Sequence, residues 1–145
     1  GTCLLICYNR YMAHTRWTYS RTCVYNIGYH LIWCPKYRRP VLSMDGVSER
    51  LRELLHEVAE SHGWEIATLE IMPDHVHMFV KVSPVDAPHY VVQQFKGLTS
   101  RILREEFPEL ATRLPSLWTR SYYCESVGHI SEKTVKKYLR DQKGK

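Results

Sequence analysis

Two short patterns in this chain could do chemistry. His75-Val76-His77 sets two imidazoles two residues apart. On a strand, side chains at that spacing leave the same face. Two neutral imidazoles held side by side can bind one divalent ion, but two ligands are too few for tight binding, so a third must come from elsewhere. Asp74 directly before the pair either orients an imidazole as an acceptor or is simply a turn residue. The second pattern is Tyr138 with Gln142. On a helix the two lie one turn apart on one face, together with Val135 and Leu139. A tyrosine hydroxyl brought to a metal-bound phosphate is a nucleophile for phosphoryl transfer without ATP, and Gln142 could add a carbonyl oxygen to the ion. Each pattern also has a plainer reading. The histidines could be surface residues of a half-exposed strand, and Tyr138 a member of a packing stripe with Lys133, Lys136, Lys137, Arg140 and Lys143 as a solvated face.

The elements around these residues must position them. Residues 23–34 are rich in aromatic and branched side chains and read as one long strand, with Tyr25, Ile27, Tyr29, Leu31 and Trp33 on one face. Pro35 ends it, and 35–40 is a basic turn. Asp45 can cap a helix whose apolar stripe is Val47, Leu51, Leu54, Leu55 and Val58, with Gly63 as its stop. Trp64 to Met72 reads as a second strand. Pro73-Asp74 turns into a third, His75 to Val82, whose Val76, Met78, Val80 and Val82 form an apolar face opposite His75, His77, Phe79 and Lys81. Asp86 can cap a second helix running to about Phe107, with Val91, Phe95, Leu98 and Ile102 inward. Pro108 stops that helix, and residues 108–120 read as an irregular connection. Tyr122 to Val127 reads as a fourth strand. Beyond Gly128, Ser131 caps a short helix from Glu132 to about Gln142, stapled by Ile130 and Val135. The order predicts an α+β fold: a ferredoxin-like sandwich with an antiparallel sheet, both large helices on one face, and an appended C-terminal helix.

Composition narrows the class. A chain of 145 residues, 44% hydrophobic and 24% charged, suits a single globular domain. No apolar run approaches the ~20 residues that cross a bilayer, and the start lacks the pattern of a signal peptide, so the expected location is the cytoplasm, with no membrane partner. Five cysteines without a Cys-x-x-Cys argue against a disulfide framework or a zinc knuckle. Twenty basic against 15 acidic residues give a net charge of +5, which favours polyanionic partners. Lys36, Arg38 and Arg39 after the first strand, and Lys96 on the second helix, are candidate phosphate contacts; the alternative is ordinary solvated charge. Gly1 rather than Met opens the sequence and Met12-Ala13 would serve as a start, so 1–11 read as an extension and 12–145 as one domain.

The segments Tyr29–Arg39 (Tyr-His-Leu-Ile-Trp-Cys-Pro-Lys-Tyr-Arg-Arg), Met72–His77 (Met-Pro-Asp-His-Val-His) and Ser131–Gln142 (Ser-Glu-Lys-Thr-Val-Lys-Lys-Tyr-Leu-Arg-Asp-Gln) together resemble the single-tyrosine HUH transposases of the insertion-sequence-200/605 type. The likeness spans about residues 23–142, with the segments in the right order and spacing. It implies a ferredoxin-like fold, His75 and His77 as metal ligands, Gln142 as the third, and Tyr138 as the nucleophile. It implies Mg²⁺ or Mn²⁺ as cofactor. The implied substrates are single-stranded DNA hairpins at transposon ends, cut through a 5′-phosphotyrosine and rejoined. It further implies a homodimer in which the terminal helix of one subunit can complete the site of the other. The extension at 1–11 is a departure, since the family usually lacks one or keeps it short.

A competing reading is a non-catalytic or domesticated nucleic-acid-binding module, its open sheet face stacking bases on Tyr25, Tyr29 and Trp33. That reading leaves His75, His77 and Tyr138 without a purpose. A metal-binding or purely oligomeric protein leaves the basic helix face unexplained. Tyr122 and Tyr123, one on each face of the fourth strand, are the other candidate nucleophiles. A short helix after Gly128 can move a DNA end more readily than a strand, which favours Tyr138.

Overall fold

The computed structural model describes residues 17–127 and Arg140. Its strands are β1 (Thr18–Tyr19), β2 (Val24–Tyr25), β3 (Ile27–Trp33), β4 (Glu65–Met72), β5 (His75–Val82) and β6 (Tyr123–Val127). Its α-helices are α1 (Val47–His62), α2 (Pro88–Glu106) and α3 (Pro108–Arg113). β3 to β6 form one sheet in the order β4-β5-β3-β6, with every neighbouring pair antiparallel. With α1 between β3 and β4 and α2 between β5 and β6, this is the ferredoxin-like sandwich.

Alternating burial along β5 decides which sheet face is covered. Val76, Met78 and Val80 are fully buried and Val82 nearly so, whereas His75, His77, Phe79 and Lys81 are only half-buried. The apolar set meets the stripe Val47, Leu51, Leu54, Leu55 and Val58 of α1 and the buried Val91, Val92, Phe95, Thr99 and Leu103 of α2, with Leu98 and Ile102 partly buried beside them. Both large helices thus cover one face. Among the described residues, no helix is long and apolar enough to cross a membrane.

Several local expectations need correction. The stretch 23–34 is not one strand: it breaks at Asn26, and β2 pairs with β1 instead. Ile27 lies opposite Val82, the last residue of β5, so residues before Ile27 have no partner there and turn back on Thr18–Tyr19. Asp45 does not cap α1. Gly46 occupies the cap with φ 82°, a left-handed turn that leaves no side-chain oxygen over the first amides. Gly63 closes the other end at φ 71°, as its position predicts. Asp86 does not cap α2 either: Ala87 is the cap and Pro88 the first helical residue. The Asp86 carboxylate is drawn away by Trp64 Nε1 and Ser83 Oγ, each donating to it at 2.7 Å. Residues 108–120 are not wholly irregular, because Pro108 opens α3 rather than a loop. The rest of that connection is anchored: Lys36 N–H donates to Leu117 O, Thr119 N–H donates to Cys34 O, and the Trp118 indole donates to the buried Thr99 hydroxyl at 3.0 Å. The cysteines described, Cys23, Cys34 and Cys124, are free. Tyr138, Gln142 and the helix expected around them lie outside the described residues, as does the extension 1–11.

Candidate active site

Register assigns the neighbours of the histidine pair on the open face. His77 sits opposite Ile32 on β3 and Glu70 on β4; His75 sits opposite Met72 at the end of the sheet. His30 and Gly28 of β3 share this face, as do Tyr123 and Glu125 of β6, which pair with Ile32 and His30. The competing base-stacking face fails here. Trp33 lies opposite Val76 and Tyr29 opposite Val80, so both point toward the helices; Trp33 is 1% exposed and Tyr29 packs on the core. Tyr25 belongs to the separate small hairpin.

At His75 the turn does chemical work. The Asp74 carboxylate accepts a hydrogen bond from His75 Nδ1 at 2.8 Å and another from Arg38 Nε at 3.0 Å. The bond from His75 and the nearby guanidinium hold the Asp74 carboxyl below the usual carboxylate range. An ionised carboxylate only accepts, so Nδ1 carries a proton; in the neutral imidazole that leaves the lone pair on Nε2. That is the arrangement by which an outer carboxylate fixes the tautomer of a metal-binding imidazole. It resolves the two readings of Asp74 in favour of an orienting acceptor.

His77 has a neighbour at each ring nitrogen. Its Nε2 is 3.4 Å from Nδ1 of His30, and its Nδ1 is 3.9 Å from the Glu70 carboxylate. His30 in turn stacks on Phe79, with ring centroids 4.8 Å apart. Sequence reasoning missed His30. The signal was there: in Tyr29-His30-Leu31 the alternation puts His30 opposite the core-facing set, but only pairing of β3 with β5 brings it to a residue 47 positions away.

The donor set fits part of a metal centre. His75 offers a free Nε2 and His77 lies beside it on the same face. Among the described residues, no three His, Cys, Asp or Glu side chains gather closely enough to hold one ion. An ion bound by this pair would need a third donor from outside this set.

The basic candidates have separate fates. Arg38 is engaged with Asp74. Lys36 Nζ lies over the Tyr37 ring at 5.5 Å, and Arg39 is exposed. Lys96 is half-buried. Its ammonium donates to the carbonyls of Thr119 and Ser121 and lies 5.9 Å from the Tyr122 ring centre, and burial lowers its pKa. It clamps the segment entering β6. Tyr37 and Arg38 both adopt left-handed backbone conformations, φ 59° and 52°. For residues other than glycine this costs about 1–3 kcal/mol each, so the surroundings must enforce the turn.

Tyr122 and Tyr123 face opposite ways, as alternation predicts. Tyr122 packs on the core, and Tyr123 is on the open face, 52% exposed. The Tyr123 hydroxyl donates to Glu125 at 2.9 Å, a bond that raises its pKa. Tyr123 is two strands from His77, about 10 Å at ordinary strand spacing.

Comparison with known proteins agrees with this architecture. Residues 23–142 match the family described as "Transposase IS200 like". The ISDra2 transposase TnpA of Deinococcus radiodurans is 36% identical over 128 residues, covering 87% of this chain and 91% of the relative. The transposase for insertion sequence element IS200 of Salmonella typhimurium is 30% identical over 134 residues, covering 90% and 81%. Among solved structures, a chain assigned as a transposase from Deinococcus radiodurans R1 superposes with a TM-score of 0.70 at 33% identity, covering 86% of this chain and 97% of that one. A REP-associated tyrosine transposase bound to a REP hairpin shares the fold at a TM-score of 0.54 and 15% identity, covering 86% and 67%. By sequence over most of its length and by fold, this chain belongs to the IS200-like transposase family.

Proposed function

We propose that this member of a DNA-cleaving and DNA-transferring family nicks and rejoins single-stranded DNA hairpin ends through Tyr138, in the cytoplasm. The observation that carries the reading is the pair His75 and His77 on the uncovered sheet face, with Asp74 holding the Nδ1 proton of His75. A divalent ion, Mg²⁺ or Mn²⁺, would be held by His75 and His77 with Gln142 as third donor. When bound it would polarise the scissile phosphate and offset charge developing there.

In the step itself the Tyr138 hydroxyl oxygen bonds to phosphorus while the bond from phosphorus to the 3′ oxygen breaks. The phenol proton departs and the 3′ oxygen gains one. The product is a 5′-phosphotyrosine and a free 3′-OH, so the reverse attack rejoins DNA with no external energy source. Tyr123 is the less suited tyrosine, because its hydroxyl is committed to Glu125 and its raised pKa opposes ionisation. Lys36 and Arg39 are proposed phosphate contacts. The hairpin held by the fold neighbour is consistent with a hairpin substrate.

A homodimer with shared sites accompanies this reading. The helix expected over 132–142 would be marginal in water by itself and would have to dock somewhere. The test is a cleavage assay on single-stranded hairpin DNA with and without Mn²⁺. The parent should form a denaturant-resistant covalent adduct only with metal, and Tyr138→Phe should form none. An adduct in the Phe variant would overturn the assignment. Mixed Tyr138→Phe and His75→Ala subunits should regain cleavage if the helix docks in trans; confirmed heterodimers without activity would refute that arrangement.

A further inference from the structure

Residues 35–43 run from the end of β3 to the approach of α1, and their basic composition suggests contact with phosphate. The segment is instead fastened at both ends, the second tie lying beside the site. At its start, Lys36 N–H donates to Leu117 O at 2.8 Å. At its end, Leu42, 1% exposed, donates its N–H to Pro73 O at 3.1 Å, on the very turn that carries Asp74. Between these ties the backbone passes through two consecutive left-handed residues, Tyr37 and Arg38. Neither Tyr nor Arg favours that conformation, so a contact must reward it. Tyr37 is no candidate, since its ring meets the ammonium of Lys36, the residue directly before it, at 5.5 Å, a contact that ties the turn to nothing distant. Arg38 is, because the turn delivers its Nε to Asp74 Oδ2 while Asp74 Oδ1 holds His75 Nδ1.

We infer that Arg38 is a positioning residue for the ion site: acting through Asp74, it keeps His75 in the Nδ1–H tautomer with Nε2 turned outward. The chain Arg38–Asp74–His75 joins residues 36 positions apart in sequence. A carboxylate held by one donor can swing away from its histidine, whereas one gripped on each oxygen is fixed in orientation. The guanidinium suits this better than an ammonium because its donors are planar and set at a fixed angle. The function of the strained turn is then to support the metal ligand, and Arg38 leaves the set of residues whose first duty is to phosphate. This inference rests on the reading of His75 as an ion ligand.

The test uses the full chain and two readouts besides cleavage. The first is metal-free: two-bond ¹⁵N–¹H correlations of the imidazoles at about pH 8, where histidine is neutral. His75 should be Nδ1–H in the parent, and should shift toward Nε2–H in Asp74→Ala and in Arg38→Gln. The second is Mn²⁺ titration calorimetry. Outer-partner losses of about 10–100-fold in metal affinity are typical, so Asp74→Ala should weaken Mn²⁺ about tenfold or more and Arg38→Gln about threefold or more. Arg38→Gly separates side chain from backbone: it relieves the left-handed residue yet removes the guanidinium, and should lose Mn²⁺ affinity with thermal stability unchanged or raised. An unshifted tautomer and unchanged Mn²⁺ affinity in both Arg38 variants would overturn the proposal. If, in addition, the salt slope of hairpin binding in EDTA fell by about one, Arg38 would return to the phosphate contacts. A His75→Ala variant that binds Mn²⁺ like the parent would overturn the ion-site reading, whereas the tautomer comparison decides the Arg38 proposal without metal.

Discussion

Gly28 supports the site by having no side chain. A Cβ built there would lie 2.5 Å from Phe79 Cε2 and 2.7 Å from Cζ, about 1 Å inside ordinary carbon contact. In Gly28→Ala the ring must therefore swing off the sheet, leaving His30 without its stacking partner and His77 beside a freed His30. Overpacking of this kind costs about 1–3 kcal/mol. It is partly offset by the roughly 0.5–1 kcal/mol that alanine gains over glycine inside a strand. At this chain length the net loss, about 0–2.5 kcal/mol, lowers the unfolding midpoint by up to about 10 °C. The decisive assay is a double-mutant cycle by urea denaturation. With the ring removed in Phe79→Ala, the same Gly28→Ala change meets open space and should be neutral or mildly stabilising. The coupling energy should be about 2 kcal/mol, with unchanged m-values across the set. Additivity within about 0.5 kcal/mol would refute the steric argument, because the two positions would then not be in conflict.

Three other outcomes are expected. Thr99→Val should destabilise by about 1–3 kcal/mol in denaturant unfolding, because it removes the acceptor of the buried Trp118 N–H while keeping the shape. For Asp86, burial alone would raise the pKa, but hydrogen bonds from Ser83 and Trp64 outweigh it and hold the carboxyl below its ordinary range. Its folded pKa lies below the unfolded value of about 3.9, so its contribution is present above about pH 4 and is lost as pH falls through the folded pKa. Asp86→Asn should flatten the acid limb of the stability profile, and an identical profile would disprove the role. Replacing His75 and His77 together by Ala should abolish Mn²⁺ binding in calorimetry while sparing the unfolding midpoint, because neither belongs to the buried core; preserved binding would refute their assignment.

Much of the fold was legible because burial writes itself into period. Val76, Met78, Val80 and Val82 against His75, His77, Phe79 and Lys81 defined both the strand and its two faces without any neighbour. The stripe of α1 and the stop at Gly63 were readable for the same reason: each depends on residues within a few turns of one another. The histidine pair belongs to this class, as two positions on one strand need no tertiary partner to share a face.

What only the tertiary structure decided depends on groups distant in sequence. Alternation put Tyr29 and Trp33 together but could not say which way they faced, since both faces of β3 carry aromatic or apolar residues; pairing with Val80 and Val76 turned them inward. Asp45 and Asp86 looked like caps because capping is local. A left-handed Gly46 took the first position, and a tryptophan 22 residues away drew off the second carboxylate. Lys96 reads in sequence as a phosphate contact or a solvated cation; only the returning chain places two carbonyls over it. His30 beside His77 and Arg38 on Asp74 are separated by 47 and 36 residues, and no local periodicity encodes such contacts. A sequence states which side chains share a face; strand register and the path of the loops determine which of them meet.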